Sequence, residues 1–117
     1  MKTNDIKDFA LHISRFDART IDSLFPILFH QCQGDDSFLD EEIAESLVYF
    51  FDGNQNSRKP PIDEGQLRKK QALFNSLEQD NKRKIVELLN MINGKFKNSI
   101  FEEDLASALL FWGNCNN

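Results

Sequence analysis

Apolar residues recur every three to four positions along most of this chain, and this spacing predicts amphipathic α-helices. In the first segment, Ile6, Phe9, Ala10 and Ile13 fall on one helical face. No stretch alternates apolar and polar residues for long enough to predict a β-strand. The pattern therefore predicts an all-α fold with six helices.

Capping residues and glycines set the predicted helix ends. The predicted helices run from Asn4 or Asp5 to about Phe16, from Thr20 to Cys32, from about Asp40 to Gly53, from Asp63 through Leu77, from about Glu78 to Ile92, and from Ser99 to Gly113. A glutamine or glutamate three residues after Asp63 and after Ser99 predicts two capping boxes. Pro26 lies inside the apolar pattern of the second predicted helix, so we expect a kink there or a helix that begins near Ser23.

The second half of the chain resembles the first. Residues 37–50 match residues 99–112 at an offset of 62, and residues of the second helix match those of the fifth at an offset of 61. This similarity predicts two three-helix units, 4–53 and 63–114, joined by an exposed linker, 54–62. The units would form one domain, 1–117, as a compact bundle or a short α–α superhelix. The alternative is that any two acid-capped amphipathic helices look alike.

The composition is that of one globular protein. Of the 117 residues, 40% are hydrophobic, 28% are charged and 11 are Phe, which favours a core with large apolar areas. No apolar run approaches the roughly 20 residues that span a bilayer, and the first residues are polar. The two cysteines, Cys32 and Cys115, match neither a disulfide framework nor a zinc spacing. We therefore expect a cytoplasmic protein that binds no membrane.

Negative charge is concentrated in the first half of the chain. The net charge is −5, but four Lys/Arg and eleven Asp/Glu in residues 1–57 give −7, whereas residues 58–97 carry +5. An acidic surface repels nucleic acid and can steer a basic protein partner. The candidate acidic binding residues are Asp35, Asp36, Asp40, Glu41, Glu42 and Glu45. As an alternative, these acids only stabilise the first turn of a helix.

Catalytic and metal chemistry find little support in the residue pattern. His30 and Cys32 are two positions apart and so point about 200° apart on a helix. The acids include no Glu-x-x-His pair of the kind that binds metal in helical bundles, and His12 has no obvious catalytic partner. We therefore predict no catalytic residues, no metal and no cofactor.

Consecutive aromatic residues end the third and sixth helices. Tyr49, Phe50 and Phe51 cannot all point inward, so one is expected to be partly exposed. Exposed aromatic side chains often anchor protein partners, which makes Tyr49, Phe51 and Phe111 candidate binding residues. Alternatively, the linker or the C-terminal residues cover them.

Two basic triplets in the second half suggest an alternative function. They are Arg68, Lys69 and Lys70, and Lys82, Arg83 and Lys84. If helices four and five pack antiparallel, the triplets form a patch suited to a nucleic-acid-associated regulator. Because the whole chain is acidic, nucleic acid is the less favoured partner.

These observations favour a non-enzymatic protein–protein interaction domain. Small size, acidity and a helical repeat without catalytic residues are typical of bacterial immunity proteins and other inhibitors that neutralise a basic protein. This hypothesis is an analogy of charge and size. It leaves the identity of the partner and the oligomeric state open.

Overall fold

Six α-helices and one short 3-10 helix make up the described part of the chain, residues 2–53 and 63–115, in the computed structural model. The helices are α1 (Thr3–Leu11), α2 (Ala18–Gly34), α3 (Glu41–Phe51), α4 (Glu64–Ser76), α5 (Gln79–Lys95) and α6 (Glu102–Cys115), and the 3-10 helix is Ile13–Arg15. No β-strand occurs within these residues. The all-α prediction is confirmed.

Aspartate side chains cap three of the helices at their N-termini. Asp40 accepts a hydrogen bond from the Ile43 amide at 2.9 Å, and Asp63 accepts one from the Gly65 amide at 3.1 Å. Both helix starts agree with the prediction. The second helix begins earlier than predicted, because Asp17 accepts from the Thr20 amide at 2.9 Å. Each of these bonds satisfies an amide that lacks an intrahelical acceptor.

The first helix is shorter than its apolar stripe. It ends at Leu11 rather than near Phe16, and a 3-10 turn follows. Ile13 is nevertheless buried, and Phe16 packs against Phe9 with ring centroids 5.2 Å apart. The tighter turn therefore keeps the stripe on the core although the α-helix has ended.

Pro26 lies in the interior of α2. Of the two predicted alternatives, a kink at Pro26 or a helix that begins near Ser23, the second is therefore wrong. A proline has no amide to donate to the carbonyl four residues before it, here that of Asp22. That carbonyl instead accepts from the Asn81 side-chain nitrogen at 3.1 Å. Asn81 belongs to α5 and is buried, so a side chain of a neighbouring helix replaces the missing intrahelical bond.

The sixth helix differs from its prediction at both ends. It begins at Glu102, and the Ser99 hydroxyl is buried without a hydrogen-bond partner, so Ser99 does not form the predicted capping box. Only the Ser99 carbonyl contributes, by accepting from the Glu102 amide at 3.3 Å. The helix also continues through Gly113 to Cys115 instead of ending at the glycine.

Aromatic rings from both halves form the centre of one hydrophobic core. Phe51 lies 5.8 Å from Phe25, 5.8 Å from Phe74 and 5.9 Å from Trp112, measured between ring centroids. These four side chains are almost completely buried and come from α2, α3, α4 and α6. Offset and edge-on ring contacts of this kind add to the stabilisation from apolar burial.

The two halves have equally spaced helices but different packing. Each helix of the second half begins 61 residues after its counterpart, at Thr3 and Glu64, Ala18 and Gln79, and Glu41 and Glu102. Between the halves, α2 packs against α5 and α3 against α6. However, the backbone of α1 lies close to α2 and α3, whereas the backbone of α4 approaches α5 and α6 at few points in the described residues. The α4 helix instead contacts α6 through the ring of Phe74, which lies 5.0 Å from Trp112 and 5.8 Å from Phe111. The predicted duplication is therefore not confirmed.

The predicted linker, 54–62, lies outside the described residues. Its neighbour Gly53, which ends the predicted third helix, is buried. A Cβ atom at this position would lie 2.5 Å from the ring of Phe111. A side chain is thus excluded by the contact between the end of α3 and α6.

Candidate functional site

The acidic residues predicted to bind a partner lie together where α2 ends and α3 begins. We call this set, Asp35, Asp36, Asp40, Glu41, Glu42 and Glu45, the acidic corner. Two of its members have local structural roles. Asp35 accepts from the Ser37 hydroxyl at 2.7 Å and from the Ser37 amide at 3.0 Å, and Asp40 caps α3.

The hydrogen bonds from Ser37 also affect the ionisation of Asp35. The bond from the serine hydroxyl is the main cause that lowers the pKa of this carboxyl, and the bond from the serine amide adds to it. Both donors stabilise the charged form. The side chain of Asp35 is thus an anion fixed in direction by its neighbour.

The remaining carboxylates of the acidic corner are exposed or half-buried. Asp36, Glu41 and Glu42 are exposed, and Glu45 is half-buried. None of the four forms an ion pair with the part of the chain that the structure describes. The nearest cation is that of Lys95, whose ammonium donates to the backbone carbonyl of Asp36. The corner therefore keeps most of its negative charge available at the surface.

The predicted aromatic anchors differ in how deeply they are buried. Phe51 is fully buried and contributes to the core, so its assignment as a surface anchor is corrected. Tyr49 and Phe111 are half-buried and pack against the core cluster. The expectation that one residue of the triplet 49–51 is partly exposed is met by Tyr49, since Phe50 is also buried.

An open groove of about 480 Å³ lies beside Tyr49, between the 3-10 turn, α3 and α4. We call it the lysine groove. Its walls include the apolar side chains of Ile13, Tyr49, Phe50 and Leu73 and the charged side chains of Lys69 and Lys70. The ammonium of Lys70 donates to the Tyr49 carbonyl at 2.8 Å and lies 5.6 Å from the Phe50 ring centroid. The sequence analysis named Tyr49, Lys69 and Lys70, but assigned them to two separate candidate surfaces and not to one groove.

Several cations of the two basic triplets are already engaged within the chain. Arg68 pairs with Glu64 at 2.8 Å, Arg83 lies 3.6 Å from Asp80, and Lys82 donates to a backbone carbonyl at 3.0 Å. The acceptor of Lys82 is the Asn75 carbonyl, so this cation of α5 contacts the end of α4. The continuous basic patch that nucleic-acid binding requires stays a prediction.

The histidines and the described cysteine are not assembled into a reactive group. His30 is exposed on α2, whereas Cys32 is buried, and burial raises the pKa of its thiol to about 12. His12 Nδ1 lies 3.1 Å from the carbonyl oxygen of Asp8. No three His, Cys, Asp or Glu side chains among residues 2–53 and 63–113 come together as a metal-binding group.

Within the described residues, no helix combines the length and the apolar character needed to cross a bilayer. The chain was also compared with known proteins at the levels of family, curated sequence and solved structure. It matches no protein-family model, no curated protein and no solved structure.

Proposed function

We propose that this chain is a non-enzymatic interaction domain that binds a basic protein through the acidic corner. The observation that supports the proposal is the set of carboxylates at Asp36, Glu41 and Glu42, which are exposed and form no ion pair in the described residues. Glu41 and Glu42 lie in the first turn of α3, where carboxylates also stabilise the helix dipole. Because their side chains remain exposed, the same charges are available to a basic partner.

The physical basis is electrostatic steering. Carboxylates clustered on one surface attract a positively charged partner over distances comparable to the Debye length, about 8 Å at physiological ionic strength. Such steering raises the association rate, and salt weakens it. By analogy of size and charge, the role would be that of a small bacterial inhibitor or immunity protein acting in the cytoplasm.

Charge-reversal variants test the proposal. Glu41→Lys combined with Glu42→Lys changes the corner without touching the core, because both side chains are exposed. The matched control is Glu102→Lys combined with Glu103→Lys, which reverses the same number of charges at exposed positions in the first turn of α6. Each purified protein is immobilised and exposed to an extract of the source organism at about 50 mM and about 300 mM salt. Captured proteins are quantified by mass spectrometry.

The proposal expects a basic protein that wild type and the Glu102→Lys, Glu103→Lys control retain at low salt. The double variant should retain at least about tenfold less of it, and higher salt should weaken capture by the wild type. If the same proteins bind wild type and double variant equally, the acidic corner is not the binding surface.

We also propose that the two halves arose by duplication. The equal spacing of helix starts supports this, and so does the burial pattern. Residues 21–34 and 81–94 share the same order of buried, half-buried and exposed positions at an offset of 60. This offset is one residue smaller than the offset of 61 at which the sequences of α2 and α5 match. Superposing the halves tests the proposal: α1–α3 and α4–α6 should agree in helix order and direction.

A further inference from the structure

We infer that the lysine groove is a second interaction surface, and that it binds a protein segment carrying an apolar side chain next to a carboxylate. This goes beyond the proposed function, because the groove has the opposite charge to the acidic corner and lies on different helices. It therefore takes a different segment, of the same partner or of another protein.

The walls of the groove suit an apolar side chain. Ile13 and Phe50 are buried and offer rigid surfaces, and Tyr49 and Leu73 are half-buried beside them. The volume of about 480 Å³ lies in the range of roughly 300–1,000 Å³ that is typical of ligand sites. An inserted side chain would gain roughly 25 cal/mol for each Å² of apolar surface that it removes from water.

The charges around the groove suit a carboxylate. Lys69 and Lys70 both line it, and no acidic residue is among its described lining residues. Lys69 is exposed and forms no ion pair with the described part of the chain. In a chain with a net charge of −5, this is a local positive site.

The shape favours a protein segment over a free fatty acid, whose chemistry is similar. A fatty acid needs an enclosed tunnel that buries most of its alkyl chain, whereas this groove is open to solvent. The polar side chains of Ser14 and Gln66 also line it and provide hydrogen-bonding groups for a peptide backbone. One anchoring side chain with a flanking carboxylate matches this combination.

Peptide display tests the inference without knowledge of the natural partner. A random twelve-residue phage library is selected on the wild-type chain, and the Kd of enriched peptides is measured by fluorescence anisotropy. Lys69→Glu reverses the charge of the groove, and Ser14→Trp fills it from an exposed position. The control is Lys97→Glu, which is exposed and does not line the groove. Circular dichroism verifies the fold of each variant.

The expected peptides pair a large apolar residue with Asp or Glu. Lys69→Glu and Ser14→Trp should each raise their Kd at least about tenfold, whereas Lys97→Glu and the acidic-corner variants should not. Enriched peptides rich in Lys or Arg, peptides insensitive to both groove variants, or no enrichment at all would overturn the inference. So would binding of dodecanoate at the groove with no peptide binding. Because the acidic-corner variants leave the groove intact, this failure is distinct from failure of the proposed function.

Discussion

The indole nitrogen of Trp112 donates a hydrogen bond to the backbone carbonyl of Phe51, at 2.9 Å. Phe51 is the last residue of α3, where helical carbonyls have no intrahelical donor. Trp112, from α6, supplies that donor inside the core, and the two rings meet edge-on at 5.9 Å. The end of α3 is therefore satisfied by the other half of the chain.

Trp112→Phe should destabilise the protein although it keeps an aromatic ring in place. The substitution removes the donor and leaves the buried carbonyl of Phe51 without its partner. An unsatisfied buried group of this kind costs about 1–3 kcal/mol. Urea unfolding followed by circular dichroism measures the change in the free energy of unfolding. Equal stability of variant and wild type would show that the hydrogen bond has no net effect.

Asp22→Ala should weaken the contact between α2 and α5. The Asp22 carboxylate accepts from the Glu78 amide at 3.0 Å and from the Asn81 side chain at 2.8 Å. Losing both bonds at a partly buried contact should lower the free energy of unfolding by about 1–3 kcal/mol. Asp36→Ala is the control, because its exposed carboxylate has no hydrogen bond within the described residues. Similar unfolding curves for the two variants would contradict this role.

Gly53→Ala should be destabilising because of the neighbouring ring. The new Cβ would approach Phe111 to 2.5 Å, and relieving the overlap should cost about 1–3 kcal/mol. In the Phe111→Ala background the same substitution should cost much less, since the obstructing ring is gone. A double-mutant cycle measured by thermal unfolding gives this coupling directly.

Substitution of Gly94 by alanine is expected to stabilise the protein, in contrast to the same substitution at Gly53. Gly94 lies in the last turn of α5, and a Cβ atom there would have no neighbour within 4 Å. Gly94→Ala should raise the free energy of unfolding by about 0.5–1 kcal/mol, because alanine loses less conformational freedom in a helix. If Gly53→Ala and Gly94→Ala change stability in the same direction, steric overlap with Phe111 is not the decisive factor.

Stability should fall on acidification partly through Asp17 and Asp35. Hydrogen bonds from Thr20 and from Ser37 lower the pKa of these two carboxyls in the folded state. Their contribution is present above the unfolded pKa of about 3.9 and is lost as pH falls through the folded pKa values. In Asp17→Asn with Asp35→Asn, the decrease in Tm between about pH 6 and about pH 2 should be smaller than in wild type. Asp36→Asn with Glu87→Gln removes the same number of exposed carboxylates and controls for net charge. Parallel curves for all three proteins would contradict the expectation.

The apolar periodicity was enough to predict the number and order of the helices. The Asp40 cap was also predictable, because a cap depends on residues only three positions apart. The local apolar pattern did not predict the burial of Phe51. Its burial depends on Trp112 and Phe74, which are distant in sequence, so the local pattern could not distinguish a core ring from a surface anchor.

The candidate site was only partly predictable for the same reason. The acidic corner is contiguous in sequence, and its position follows from one helix end and one helix start. The lysine groove is formed by α3, α4 and a 3-10 turn that the sequence predicted as α-helix. Lys70 appeared as one charge of a basic triplet, and only the fold places its ammonium against Tyr49 and Phe50.

The proline in α2 has a consequence for how the halves recognise each other. Pro26 leaves the Asp22 carbonyl in need of a donor, and Asn81 provides it at a position where the first half has Ile21. Two copies of α2 that met in the same way would place an isoleucine against that carbonyl and leave it unbonded. The contact is therefore specific for α5 as the neighbour of α2, and we expect it to disfavour association of two chains through their α2 helices.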